Sequence, residues 1–351
     1  MEPLTDLFGA AQQWLFETVV QPLVFAAGLG GWVEDAFVGT GWLLVGLVQI
    51  AVMLLVIGPL QRLRPVEPVR DRAAIRTDIL YTLVHRLGLF RLALFFTLEP
   101  WTDSLFGWLR VAGLPAWQLD DLWPGVTDVP WVSLLLYLVL FDFVDYWIHR
   151  GQHGMRWWWS LHALHHSQRQ MTMWSDNRNH LLDDLLRDAI LVVVAQLVGV
   201  GPGQFVAIVA LTQLSENFHH ANLRLWFGRV GERLWVSPRF HRRHHGIGIG
   251  HEAQQARRRR AAGPLQGAAA PSAGSAAHDV ASVGANRLGG VNFGVLLPWW
   301  DMLFGTADFT LRYDPTGIRD QVEPGPRGLR DYGRGFWSQQ WRGLLRLFGR
   351  A

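Results

Sequence analysis

His149 and His153 stand four residues apart in the string H-R-G-Q-H. Nine residues on, His162, His165 and His166 form H-A-L-H-H, and His241, His244 and His245 repeat that pattern as H-R-R-H-H. On a helix, spacings of three and four bring side chains to one face about a turn apart. Each cluster can therefore aim two or three imidazoles at a single point. With His180, His219 and His220 counted, 11 of the 14 histidines lie in or beside such clusters. A lone histidine on an apolar face is ordinarily a packed or solvated residue, but packing does not call for histidine at this density. Metal binding does, because neutral imidazole is the commonest metal ligand.

The chain has no Cys, which excludes a disulfide framework, a zinc ribbon, thiolate-ligated haem and an iron–sulfur cluster within it. There is no Lys, so all 32 basic residues are Arg. The formal charge is only +3, and no basic stripe with interleaved aromatics is present, so nucleic acid is not an expected partner. The start, M-E-P, lacks the basic stretch of a cleaved signal peptide.

Half of the residues are hydrophobic, 17% are charged, and the apolar ones come in runs. Residues 1–35 carry acids and no Arg; Ala36 to Gln61 carries no charge at all; then Arg62, Arg64, Arg70, Arg72 and Arg76 follow. That run is long enough to cross a bilayer. The arginines after it place the N-terminus outside and the following chain in the cytoplasm. A second span is expected at 79–98, with His85, Arg86 and Arg91 turned toward other helices or an interface. An acid-biased outer loop at 99–128 and a third span at 130–148 follow. His149 then falls just past the apolar run, on the cytoplasmic side. From Ala189 to Ser215 charge disappears again, but Gly-Val-Gly-Pro-Gly at 199–203 interrupts the run. A helix does not pass through G-P-G, so two helices folded back on each other are expected, at 183–198 and 203–219. That hairpin returns His219 and His220 to the side of the other histidines. Residues 253–289, rich in Ala, Gly, Arg, Pro and Ser, cannot build a core and read as a disordered insert. The last residues, G-F-W-S-Q-Q-W-R-G-L-L-R-L-F-G-R, read as a basic amphipathic helix on the inner leaflet.

In the order and spacing of its three histidine boxes the sequence resembles the fatty acid hydroxylase / sterol desaturase superfamily. The resemblance runs over about 43–309 apart from the insert. It extends to N-R-N-H ending at His180, H-H-A-N-L-R-L from His219, S-P-R-F-H leading into His241, and N-F-G-V-L-L-P-W-W-D-M-L-F-G-T at 292–306. It implies an all-α fold: a polytopic membrane bundle of about four to five membrane helices, with a cytoplasmic helical cap holding a di-metal site. It also implies two iron ions and O2 as co-substrate. The ligands would be His149, His153, His162, His165, His166, His180, His220, His241, His244 and His245, with His219 and His251 as further candidates. On this reading 1–41 is a non-cytoplasmic segment, 42–309 the oxygenase domain and 310–351 the cytoplasmic tail. The protein would sit in a bacterial inner membrane, with its metal site on the cytoplasmic side.

The chemistry suits those residues. Attack on an unactivated C–H bond needs an oxidant stronger than any side chain, and zinc has no redox chemistry. Imidazole suits iron, and an all-nitrogen donor set survives an oxidant that would attack sulfur ligands. Each ligand ring needs an acceptor that fixes its tautomer. One turn away stand Asp145 for His149, Glu216 for His220, and Asp183 or Asp184 for His180, while Asp142 ends the same apolar run. The substrate would be an amphipathic membrane lipid. With no G-x-G-x-x-G and no haem or flavin motif, electrons would come from a separate protein, a ferredoxin or a cytochrome with its reductase. Hydroxylation, desaturation, ether-lipid cleavage on the same site and a non-catalytic zinc-binding membrane protein all remain open at this stage.

Overall fold

The computed structural model describes residues 2–90, 94, 98–115, 117–248, 290–325 and 328–350. His251 and the expected insert at 253–289 lie outside the described residues. Among the described residues there is no strand; isolated bridges join Gly246 to Thr316 and Gly325 to Gly328. The principal helices are α1 (Glu2–Leu15), α2 (Gly30–Leu63), α3 (Arg72–Arg86), α4 (Glu99–Val111), α5 (Pro130–Gly154), α6 (Arg156–His166), α7 (Leu181–Val198), α8 (Pro202–His219), α9 (Pro238–His244) and α10 (Phe336–Leu347).

Helices α2 and α5 are long and apolar enough to cross a membrane, with mean hydropathies of 2.6 and 1.6. They are the first and third spans expected from sequence. Much of α2 presents its large side chains outward, with Leu55 76% exposed. It meets α3 at Gly46, where any Cβ would lie 1.7 Å from the Arg86 carbonyl oxygen. Only glycine allows that crossing.

The expected second span is not one helix. Asp71 caps α3 by accepting from the Ala74 N–H, and the helix stops at Leu87 and Gly88, where Gly88 takes a left-handed φ of 81°. His85 and Arg86 do face other helices: Arg86 donates to the Asn217 side chain at 2.9 Å, and His85 lies 3.3 Å from Asp184. The expected outer loop contains a helix, α4, which opens on Glu99-Pro100, with Pro in its first turn where no amide donor is needed.

The hairpin forms as α7 and α8. Gly199 ends α7 in the left-handed conformation (φ 68°), and Pro202 opens α8. Helix α5 buries one face, Leu138, Phe141, Asp142, Asp145, His149, Gln152 and His153, at helical spacing. Its apolar half packs with Leu191 of α7, Ile208 of α8 and Leu296 and Leu297 of the final loop. Its polar half points at the histidines of α6 and α9.

Candidate metal centre

Burial is the first fact about the histidines. All eight box residues are at most 8% exposed, and His153 and His245 are fully buried. The nitrogens of His149, His153, His162 and His166 lie within 4.8 Å of one another. So do those of His165, His220, His241 and His245. His166, His244 and His245 form a third group that joins the two tetrads. Residues up to 96 positions apart along the chain thus converge.

Backbone carbonyls and one carboxylate set the rings. His149 Nδ1 lies 2.8 Å from the Phe293 carbonyl, His244 Nδ1 2.7 Å from the Val291 carbonyl, and His220 Nδ1 2.7 Å from the Glu216 carbonyl. A carbonyl only accepts, so each Nδ1 carries the proton and each Nε2 offers a lone pair inward. Asp183 does the same for His162 at 3.0 Å. That carboxylate is held by Gln152 at 2.8 Å and the Trp158 indole at 2.6 Å.

The second tetrad lacks enough protons to satisfy itself. His220 Nε2, an acceptor only, faces His165 Nε2 at 3.1 Å and His241 Nε2 at 3.0 Å; His241 Nε2 also faces His245 Nε2 at 3.1 Å. One N–H cannot serve two partners, and buried lone pairs facing each other are unfavourable. A shared cation resolves all of these contacts at once. In the first tetrad His162 Nε2 and His166 Nε2 are buried without a hydrogen-bond partner, as is His244 Nε2 beside it. The rings also fit a metal in charge state. Burial first, then neighbouring imidazoles, holds His165, His166, His241 and His245 well below the usual histidine range, so they stay neutral.

Several sequence expectations change here. His180 is not brought to either tetrad. Its Nδ1 accepts from the Leu182 N–H at 3.2 Å and its Nε2 meets the Gln340 carbonyl at 2.9 Å, so both nitrogens are used in anchoring helix α7. His219 is buried and its ring lies 4.0 Å from that of His241, but it joins none of the three groups. Of the five acids, only Asp183 bonds a box histidine, and its partner is His162 rather than His180. Asp145 pairs with Arg187 at 2.8 Å, and Arg187 reaches Glu216 at 3.2 Å. Asp184 pairs with His85. Asp142 accepts from the Leu296 and Leu297 N–H groups and the Trp300 indole, fixing the final loop to α5.

The sequence marks that loop, at 292–306, but not its role in setting the histidine rings. Asn292 sits at φ 58°, and its side chain donates to the Phe240 and Asp308 carbonyls and accepts from the Asp308 N–H at 2.6 Å. Pinned this way, the residues on either side present their carbonyls to His244 and His149. Asn before Phe-Gly was the available signal, since Asn tolerates the left-handed region better than most residues.

A polar chamber of about 920 Å³, open to solvent, is lined by His149, His162, His165, His219, His220 and His241 together with Asp145, Asp184, Arg187 and Glu216. An adjoining pocket, also open to its surroundings, is largely apolar, lined by Phe141, Leu191, Phe205, Ile208 and Val209. Asp145, Arg187, Asp188 and Gln213 line both.

Fold and site together define a helical scaffold around a buried polyhistidine centre whose side chains could hold metal. Residues 134–252, which contain all three boxes, match the fatty acid hydroxylase family. The chain is also 27% identical over 231 residues to ornithine lipid hydroxylase OlsE of Rhizobium tropici, covering 65% of this chain and 67% of that one. No solved structure matches it. Both similarities support the fatty acid hydroxylase / sterol desaturase superfamily, which the histidine boxes resemble.

Proposed function

We propose that this chain is an integral membrane, non-haem di-iron hydroxylase that oxidises a C–H bond of a membrane lipid with O2. The observation that carries the reading is the pair of imidazole tetrads joined through His166, His244 and His245. His149, His153, His162 and His166 would hold one ion; His165, His220, His241 and His245 the other.

Bound iron would supply the two-electron oxidation of the C–H bond at the expense of O2. The chain's own residues do the rest. Asp183 and the carbonyls of Val291, Phe293 and Glu216 keep the ring lone pairs aimed inward. Phe141, Leu191 and Ile208 take an apolar chain and exclude water, while the chamber beside them takes the polar end. An amphipathic lipid fits this division, and the name of the relative points to an ornithine lipid and to hydroxylation rather than desaturation. Electrons would come from a ferredoxin or a cytochrome with its reductase. Helices α2, α5, α7 and α8 would lie in a bacterial inner membrane, with the histidines at the cytoplasmic face. The outward aromatics Trp337, Trp341 and Phe348 would lie on the inner leaflet.

The test is turnover of the purified, detergent-solubilised protein under 18O2 with a reductant, after reconstitution with iron or with zinc, on ornithine lipid and on simple acyl lipids. One 18O atom in the lipid product with iron, and none with zinc, is the expected result. Loss of two hydrogens without 18O would make it a desaturase, and a released aldehyde an ether-cleaving enzyme. No oxidation with iron would refute the reading. The cavity has its own check. Leu191→Trp, which fills the apolar cavity, is expected to lower kcat/KM for a long-chain lipid roughly tenfold, and less for a short-chain one, with metal content unchanged. Equal losses for both chain lengths would remove the cavity from substrate binding.

A further inference from the structure

The histidine that the boxes left over has a place of its own. His180 is 3% exposed and caps helix α7. Because Nδ1 accepts from the Leu182 N–H, Nε2 carries the proton and donates to the Gln340 carbonyl of α10. The Gln340 side chain completes the junction: its oxygen accepts from the Leu181 N–H at 2.9 Å, and its nitrogen donates to the Asn179 carbonyl and the Tyr81 hydroxyl, each at 2.9 Å. Gly343, one turn on, lies so close that a Cβ there would fall 2.2 Å from the His180 ring. Three residues after His180 comes Asp183, whose N–H bonds the His180 carbonyl at 2.8 Å and whose carboxylate orients His162.

We propose that His180 is a positioning residue: through it the C-terminal helix fixes the first turn of α7, and with it the Asp183 carboxylate that aims His162 at the metal. This rests on the metal reading above. The consequence is that α10, some 170 residues from the second box, is part of the metal centre's support.

A double-mutant cycle on the full-length, detergent-solubilised protein tests this, with cobalt(II) affinity and its visible absorption as readouts. His180→Asn keeps a good helix cap, since Asn accepts from the same amides, but does not reach Gln340. It is expected to weaken cobalt binding at one of two sites about tenfold, in the range seen for outer supporting residues. In an Asp183→Asn background the same change is expected to have almost no effect, because the link it acts through is already broken. Gly343→Ala, which wedges α10 off the His180 ring, should reproduce the loss and the same dependence on Asp183, and serves if His180→Asn does not fold. Equal losses in both backgrounds, or none in either, would overturn the proposal, as would a nitrogen ligand missing from the cobalt spectrum of His180→Asn. Wild-type protein that binds no cobalt would refute the metal reading as well; wild-type binding with an unaffected His180→Asn refutes only the latch.

Discussion

His166→Ala is expected to strip the protein of both metal ions and to abolish lipid oxidation. Most box histidines serve one tetrad, but His166 belongs to the first and to the group that joins the two. Its ring lies 4.6 Å from that of His153 on one side and 4.3 Å from that of His245 on the other. Its Nε2 is buried with no hydrogen-bond partner. Removing it opens the first site and leaves His244 and His245 without their neighbour. The effect should exceed the roughly 10–100-fold that loss of a supporting partner brings. His219→Ala is the matched comparison: an equally buried ring that lies outside the groups, expected to leave two ions in place. Metal analysis of the two purified variants, read beside product formation, decides the matter. Two ions retained in His166→Ala would show that the tetrads are packing rather than coordination.

Much of this centre is legible in the residue string, and the boundary of what is legible has a physical origin. Spacing on a helix is local, so His149 with His153, or His162 with His166, share a face wherever their helices go. The hairpin at 199–203 is local too, because Gly199 can take the left-handed φ that ends a helix and Pro202 has its φ fixed by its own ring. The choice between neighbouring acids is not local. Asp145 stands one turn from His149, as a supporting carboxylate should, yet Arg187 from another helix claims it, and a carbonyl 144 residues away takes the ring. His180 sits among sequence features of the superfamily, but a glutamine near the C-terminus occupies it. Partner choice of that kind depends on which helices meet, and helix crossings depend on details such as the bare backbone of Gly46. The second apolar run failed as one helix for a similar reason: hydropathy registers the run, while the positive φ at Gly88 ends the helix within it.

Metal-free protein is expected to lose its tertiary structure steeply between about pH 6.5 and pH 5. His244 is pushed down to about 3 from 6.5, by burial first, partly offset by its bond to the Val291 carbonyl. Burial also lowers His165, His166, His220, His241 and His245. A histidine whose pKa is depressed by folding binds no proton in the folded chain but does so once unfolded. Its contribution is therefore fully present above pH 6.5 and drains away as pH falls toward the folded value. Each such ring removes about 1.4 kcal/mol per pH unit through that window, and His244 alone accounts for roughly 5 kcal/mol over its full range. Against a total stability of about 5–15 kcal/mol, several rings acting together exhaust it within about two pH units. Near-ultraviolet circular dichroism of the 19 tryptophans follows the transition. Excess iron or cobalt should move it to lower pH, because protons must then displace the ion as well as enter the core. Native signal persisting to pH 4 in metal-free protein would mean that the rings are hydrated, and that the dry, neutral imidazole cage on which the metal reading depends does not exist in solution.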